Sequence, residues 1–281
     1  MMPFRPDVKV FIPRQSVIVA WNGEEEILFL SSELRGSEPT QALEIVPLPS
    51  EPTVKEGDLM TYQQAKELIT DYLKLLERLK PSMMLTKREP PPQPVGEIIS
   101  DEIRVAHVPN GERLEAWVEE YFLKAQSRAD PSLRARIRSL VNPYLTEGFT
   151  WFVFQVISLT SETQTRRPIQ YRFKTPYFYY PLRASRLVED FTWIQMLTFV
   201  PKDLRWACSP ELETVELFTE AGYAVFDKSA ADLAGVSQEM ADLLEDEATR
   251  LHMWHFGGML GHMDQDIILP GGYVMDWPPY S

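Results

Sequence analysis

From Gln15 to Ser32 apolar and polar positions alternate with a period of two: Val17, Val19 and Trp21 on the way out, Ile27, Phe29 and Ser31 on the return, with Asn22-Gly23 between them. The alternation predicts a β-hairpin, and Asn-Gly supplies the two positive-φ residues of a type I′ turn. Ala42–Val46 reads as a third strand. Pro47, Pro49 and Pro52 lack the amide a ladder needs, so they are expected to end it at a sheet margin. From Thr61 the period changes to that of a helix, with Ala65, Leu68, Ile69, Tyr72, Leu73, Leu76 and Leu79 on one face, Thr61 and Gln64 resembling a capping box, and Pro81 closing it.

The run Lys87–Val95 carries four prolines, so 86–96 reads as an extended surface linker, with a docking ligand for an aromatic groove as the alternative. A strand is expected over Ile98–His107. Two amphipathic helices follow, one with Leu114, Trp117, Val118, Tyr121, Phe122 and Ala125 at helical spacing, the next from Asp130-Pro131 to near Pro143. Phe149–Leu159 is apolar on both faces, as in the middle strand of the main sheet. Ile169, Tyr171 and Phe173 alternate with polar residues, and Tyr177–Leu182 is an aromatic run that reads mainly as core. Phe191–Val200 supplies a further strand and Tyr223–Phe226 a short one. Ser229–His255 reads as a long helical stretch bent near Gly235. These patterns define an α+β fold: antiparallel or mixed sheets from hairpin-rich segments, packed with amphipathic helices and followed by a helical C-terminal segment. The expected division is 1–200 for the α+β domain and 201–281 for a helix-rich extension packed on it. A Pro-Leu step occurs twice, at Pro47-Leu48 and Pro181-Leu182, which raises the option of a duplicated β-rich unit, although no fixed period supports a solenoid or propeller.

Composition narrows the function classes. With 281 residues, 44% of them apolar, the chain can bury a large core. Its formal net charge of −13 repels phosphate backbones and anionic lipid, so nucleic acid and membrane surfaces are not expected partners. No stretch approaches the roughly 18 consecutive apolar residues of a membrane span. A single cysteine, Cys208, excludes an internal disulfide. Met1–Pro6 shows no apolar signal core, so the chain as it stands carries no secretion signal and a cytoplasmic location stays open beside an exported one.

Several blocks resemble the domain-of-unknown-function family 2330, uncharacterised secreted or surface proteins of archaea and bacteria. They are Gln15–Gly23, Leu43–Pro52, Gly148–Phe154, Tyr171–Thr175 and Tyr179–Arg183, in family order and together spanning roughly 8–200. The resemblance implies an extracytoplasmic location. It carries over no catalytic residue, because the family has none assigned. Many members hold cysteines near the mature N-terminus, where this chain has Met1-Met2-Pro3, so a lipid anchor does not follow. The segment after Val200 has no counterpart in that pattern.

Three of the four histidines fall between His252 and His262. On a continuing helix His252 and His255 would share a side, and Gly257-Gly258 would let the chain return His262 or Asp264 toward them. Such a set suits zinc, copper or nickel. The competing reading is an apolar helix end, where a histidine in the last turn is favoured by the dipole alone. No glutamate lies between the pair as in a zinc protease. Glu24-Glu25-Glu26, Glu119-Glu120 and the Asp242–Glu247 acids read as solvated faces, and Cys208 as an inert thiol. With no nucleophile elbow, phosphate loop or dinucleotide fingerprint, the preferred expectation is a non-catalytic protein. It would bind a protein partner or self-associate through sheet edges at the cell surface, with no cofactor. The alternative is a metal-binding protein or metal-dependent hydrolase built on His252, His255, His262 and Asp264.

Overall fold

The alternating segment forms a hairpin of β2 (Val10–Trp21) and β3 (Glu25–Gly36). Its turn differs from the expected one: Trp21 stands opposite Glu26 and the Asn22 amide donates to the Glu25 carbonyl at 3.3 Å, so the turn centres on Gly23-Glu24 instead of Asn22-Gly23. Asn22 organises the turn through its side chain, Oδ1 accepting from the amides of Glu24 (3.0 Å) and Glu25 (2.8 Å), while Gly23 takes the positive φ of 98°. The structure, a computed structural model, describes residues 1–70, 97–98, 102–118, 131–201, 220–244 and 249–270. The expected helical faces over Tyr72–Leu79 and Tyr121–Ala125, the 86–96 linker, Glu119-Glu120 and Cys208 lie outside the described residues.

The remaining strands are β1 (Met2–Pro3), β4 (Thr40–Leu48), β5 (Thr53–Glu56), β6 (Glu97–Ile98), β7 (Glu102–His107), β8 (Trp151–Leu159), β9 (Gln164–Arg166) and β10 (Ile169–Lys174). After them come β11 (Tyr177–Tyr180), β12 (Phe191–Pro201), β13 (Glu220–Lys228), β14 (Thr249–Met259) and β15 (Ile267–Pro270). The helices are α1 (Leu59–Glu67), α2 (Gly111–Val118), α3 (Pro131–Thr146), α4 (Ala230–Val236) and α5 (Gln238–Leu243).

The larger sheet runs β13-β14-β12-β2-β3-β10-β5, with β9 joined to β3 and β6 to β9. Its strands pair antiparallel except at β12–β2 and β6–β9. The smaller sheet is β1-β4-β8-β7, and β11 with β15 makes a separate ribbon. The doubly apolar strand β8 is therefore an inner strand of the smaller sheet, not of the larger one. Its odd positions face the larger sheet, where Gln155 meets Arg166 of β9, and its even positions face helices, where Phe154 packs on Trp117 and Phe152 on Tyr144. On the far side of the larger sheet Ile18, Ala20, Ile27 and Phe29 pack with Tyr62 and Ala65 of α1, Leu233 of α4 and Met240 of α5. The layers thus read helix, sheet, sheet, helix, with burial on both faces of each sheet.

Several boundaries depart from expectation for identifiable reasons. Pro47 does not end β4. It pairs with Phe152, and β1 flanks β4 only at Ala42 and Leu43, so the missing amide falls on a stretch with no second ladder among the described residues. Helix α1 is capped by Asp58, whose side chain accepts from the Met60 amide at 2.9 Å, rather than by Thr61. Pro143 sits inside α3, and the Ser139 carbonyl that its missing amide would have served accepts from Arg186 Nη2 at 2.9 Å.

The largest correction is at the C-terminal end. The long helix does not form: α4 and α5 are short, broken at Ser237, which is extended (φ −159°) and caps α5, and Thr249–Met259 is a strand. Residues 251–256 are apolar apart from His252 and His255, so a strand buried on both faces and a helix give the same signal there. The two Pro-Leu steps occupy different settings, since Pro47-Leu48 ends a strand and Pro181-Leu182 enters a 3-10 turn at Leu182–Ser185.

Candidate functional site

Polar side chains gather at two places inside the sandwich and along one sheet edge. At the first, Arg166 is fully buried and reaches across the sheet interface to Glu44 of β4 and Gln155 of β8. Its own carbonyl accepts from Ser31 Oγ at 2.7 Å. Nearby, the Tyr180 hydroxyl donates to Gln15 Oε1 at 2.6 Å, and burial raises the pKa of Tyr180 and of Tyr171 beside Arg166. A cavity of about 20 Å³, bordered by Gln15, Ser32, Glu44 and Tyr180, opens here. That is the volume of a single water, not of a substrate.

At the second place, Asp266, just before β15, has a side chain only 2% exposed. Its Oδ1 accepts from the Tyr144 hydroxyl of α3 (2.9 Å) and from the Arg183 amide (2.8 Å), and its Oδ2 from the Tyr179 hydroxyl of β11 (3.1 Å). The same Tyr179 hydroxyl lies 3.2 Å from the Pro47 carbonyl. Arg183 forms a two-pronged pair with Glu147 and lies 4.0 Å over the Tyr144 ring. Burial pushes the Asp266 carboxyl up to about 6, against the lowering effect of Arg183 and the hydrogen bonds it accepts. On the opposite side of β11, buried Glu26 accepts from the Tyr179 amide at 2.8 Å, and desolvation holds its pKa well above the ordinary carboxylate range. Two acids therefore fix β11, one through its backbone and one through its phenol.

The histidine cluster does not assemble as its helical reading required. His252 and His255 lie three positions apart on a strand, hence on opposite faces. His252 is buried, and burial followed by Arg250 lowers its pKa to about 3. His255 is exposed beside Trp193, with ring centroids 5.1 Å apart. His262 and Asp264 are exposed in the turn after β14. No group of three or more His, Cys, Asp or Glu side chains fit to hold a metal occurs among the described residues.

Sequence reading missed the residues that do converge: Arg166, Glu44, Gln155, Asp266, Tyr144, Tyr179 and Arg183. One signal was present. Gln155 is the polar residue near the centre of a strand otherwise apolar on both faces, and such a group requires a buried partner.

The edge is β7, which pairs only with β8 among the described residues. Val105 on it is 41% exposed and His107, also exposed, stacks on Trp151 at 4.8 Å.

Fold and site together define a four-layer α+β sandwich whose described interior polar groups tie strands and helices together. The chain belongs to the family described as an uncharacterized protein conserved in bacteria (DUF2330), whose model matches residues 1–197. In fold it is similar to the crystal structure of baculovirus P35, with 8% identity over 96% of this chain and 99% of that one at a TM-score of 0.50. The crystal structure of the caspase-8/P35 complex is matched at 7% identity over 92% of this chain and 96% of that one, with a TM-score of 0.41. No curated protein matches in sequence.

Proposed function

We propose that this is an extracytoplasmic, non-catalytic protein that binds a protein partner or assembles at the cell surface through a sheet edge. The observation that carries the reading is β7, a six-residue edge strand paired on one side among the described residues and showing exposed Val105. Edge amides and carbonyls without a ladder are a template for strand addition; the strand carries Glu102 and Arg104, charges of the kind that blunt an edge, so the exposed apolar Val105 is the point that favours addition. Two further points support it. The buried polar groups described above have structural duties, and the cavity bordered by Gln15 and Glu44 admits about one water. The extracytoplasmic part rests on the family resemblance to exported proteins.

The test is Val105→Lys, which places a charge where an added strand would pack. Wild type is expected to self-associate on sedimentation or to retain a specific protein from cell-envelope extracts, and V105K to lose at least about tenfold in that affinity with its circular dichroism unchanged. A wild-type chain that stays monomeric and retains nothing, or a V105K chain that binds equally well, sinks the reading. Protease accessibility of the protein on intact cells tests the location.

A further inference from the structure

The ribbon of β11 and β15 belongs to neither sheet, and two buried acids hold it, Glu26 by the backbone of Tyr179 and Asp266 by its phenol. Strand β10 pairs with β3 as far as Lys174, opposite Glu25. One step on, the Thr175 amide donates to the Glu24 carbonyl at 2.8 Å, and the chain then leaves the larger sheet and pairs with β15. At Tyr179 the amide finds its acceptor in Glu26 Oε2 at 2.8 Å, a side chain of β3.

Both acids are poorly placed to be anions. Glu26 is fully buried, its Oε1 has no hydrogen-bond partner and its Oε2 has the one amide. The residues opposite it on β2 and β10 are Trp21 and Phe173, and the titratable groups that reach it from β11 are Tyr177 and Tyr179, so no cation faces it among the described residues. A carboxylate there would give up its hydration for a single donor, which favours the acid form and lifts its pKa well above 4.5. Around Asp266 stand Tyr144 of α3, Tyr177, Tyr179 and Tyr180 of β11, and Arg183, whose Nη2 lies 3.9 Å from Oδ2 but only 2.5 Å from Glu147. Arg183 therefore offsets the burial of Asp266 in part, and its pKa settles at about 6. The tyrosines keep their protons, because burial raises each of them further above its ordinary value.

We propose that Glu26 and Asp266 form a proton-operated latch on the β11–β15 ribbon: with both carboxyls protonated the ribbon is locked against the sandwich, and their ionisation releases it. The latch is independent of the β7 edge. Once the ribbon opens, the two acids meet water and return to ordinary values of 4.5 and 3.8, so the closed form holds more protons than the open one. Opening is therefore favoured as pH rises. Two protons leave between about pH 4.5 and about pH 6, and above that Glu26 alone supplies the dependence.

Hydrogen exchange across pH counts the protons. With the intrinsic exchange rate divided out, opening at the amides of β11 and β15 in the full-length wild type is expected to rise more than about tenfold per pH unit between about pH 4.5 and about pH 6, and up to about tenfold per unit above. Glu26→Gln, which keeps the size of the acid without its proton, is expected to remove the upper step, Asp266→Asn the extra slope below it, and the double variant both. Amides of β2 and β12 should stay protected while the ribbon opens, which separates release from global unfolding. If E26Q does not fold, Glu26→Met supplies an apolar side chain of similar length, and the carbonyl stretch of a protonated carboxylic acid at neutral pH should be present in the infrared spectrum of wild type and absent from that of E26M. Ribbon opening that is flat from about pH 5 to about pH 8, variants that keep the full wild-type slope, or a wild type without the protonated-acid band overturns the latch.

Discussion

Asp266 shows at single-residue scale how a buried acid is used as a cross-link. Its two oxygens receive donors from α3, from the 3-10 turn and from β11, so one side chain joins the C-terminal strand to three elements within the span of the family match. Because burial raises its pKa from 3.8 to about 6, the folded state holds a proton between those values that the unfolded chain has released. Stability from this group is therefore fully present below the unfolded value and is lost as pH rises through the folded one, a span worth on the order of 3 kcal/mol. The amide introduced by Asp266→Asn is isosteric with the protonated acid: it can donate to the Tyr179 oxygen while that hydroxyl turns to Pro47. We expect D266N to lack the slope, so that wild type gains on the variant as pH falls from about 6.5 to about 4 in urea denaturation. Parallel pH profiles for the two proteins contradict this assignment. His252 acts with the opposite sign, its lowered pKa withdrawing stability as pH falls below 6.5, which is why the comparison must be made between variants rather than on wild type alone.

At the scale of elements, α1 illustrates a helix held by one tertiary anchor as much as by its own sequence. The Tyr62 hydroxyl lies 2.6 Å from the Ser16 carbonyl and 2.9 Å from that of Phe29, bridging β2 and β3 beneath the helix. Tyr62→Phe is expected to cost about 1–2 kcal/mol and to speed amide exchange in α1 before the sheet, measured by hydrogen exchange. Uniform loss of protection across the chain would argue against a local anchor. The elements legible in sequence were those whose period was unambiguous: the β2–β3 hairpin, β8, β10, β12, and the starts of α2 and α3. Those misread were cases where local pattern is degenerate. Leu251–Phe256 is apolar apart from its two histidines, with no phase left polar throughout, so only its seat between β12 and β13 makes it a strand. Pro143 reads as a stop because the sequence does not reveal that Arg186 serves the vacant carbonyl. The polar cross-links were invisible for a related reason, since Arg166 and Glu44 lie 122 residues apart and no local rule connects them.

For the whole molecule, the end of the family match at residue 197 lies within β12 and is not a structural boundary. Strand β14 pairs with β12 from Phe191–Met259 to Pro201–Thr249, and β13 pairs with β14 in turn. Leu233, Met240, Leu251 and Met253 from this later segment sit in the same buried cluster as Ile18, Ile27 and Phe199. Each such side chain contributes about 1.5–3 kcal/mol by burial, against a net stability for a domain of roughly 5–15 kcal/mol. Removing them together with Asp266 leaves a deficit the rest cannot offset. A chain ending at Pro201 is therefore expected to lack a cooperative thermal transition and to bind a hydrophobic dye, whereas the full chain melts cooperatively. The same cut also uncovers the edge of β12 that faces away from β2, so aggregation should accompany the loss. Cooperative unfolding of the shortened chain, with a denaturant slope in proportion to its length, would show that the later strands decorate a complete fold instead of completing it.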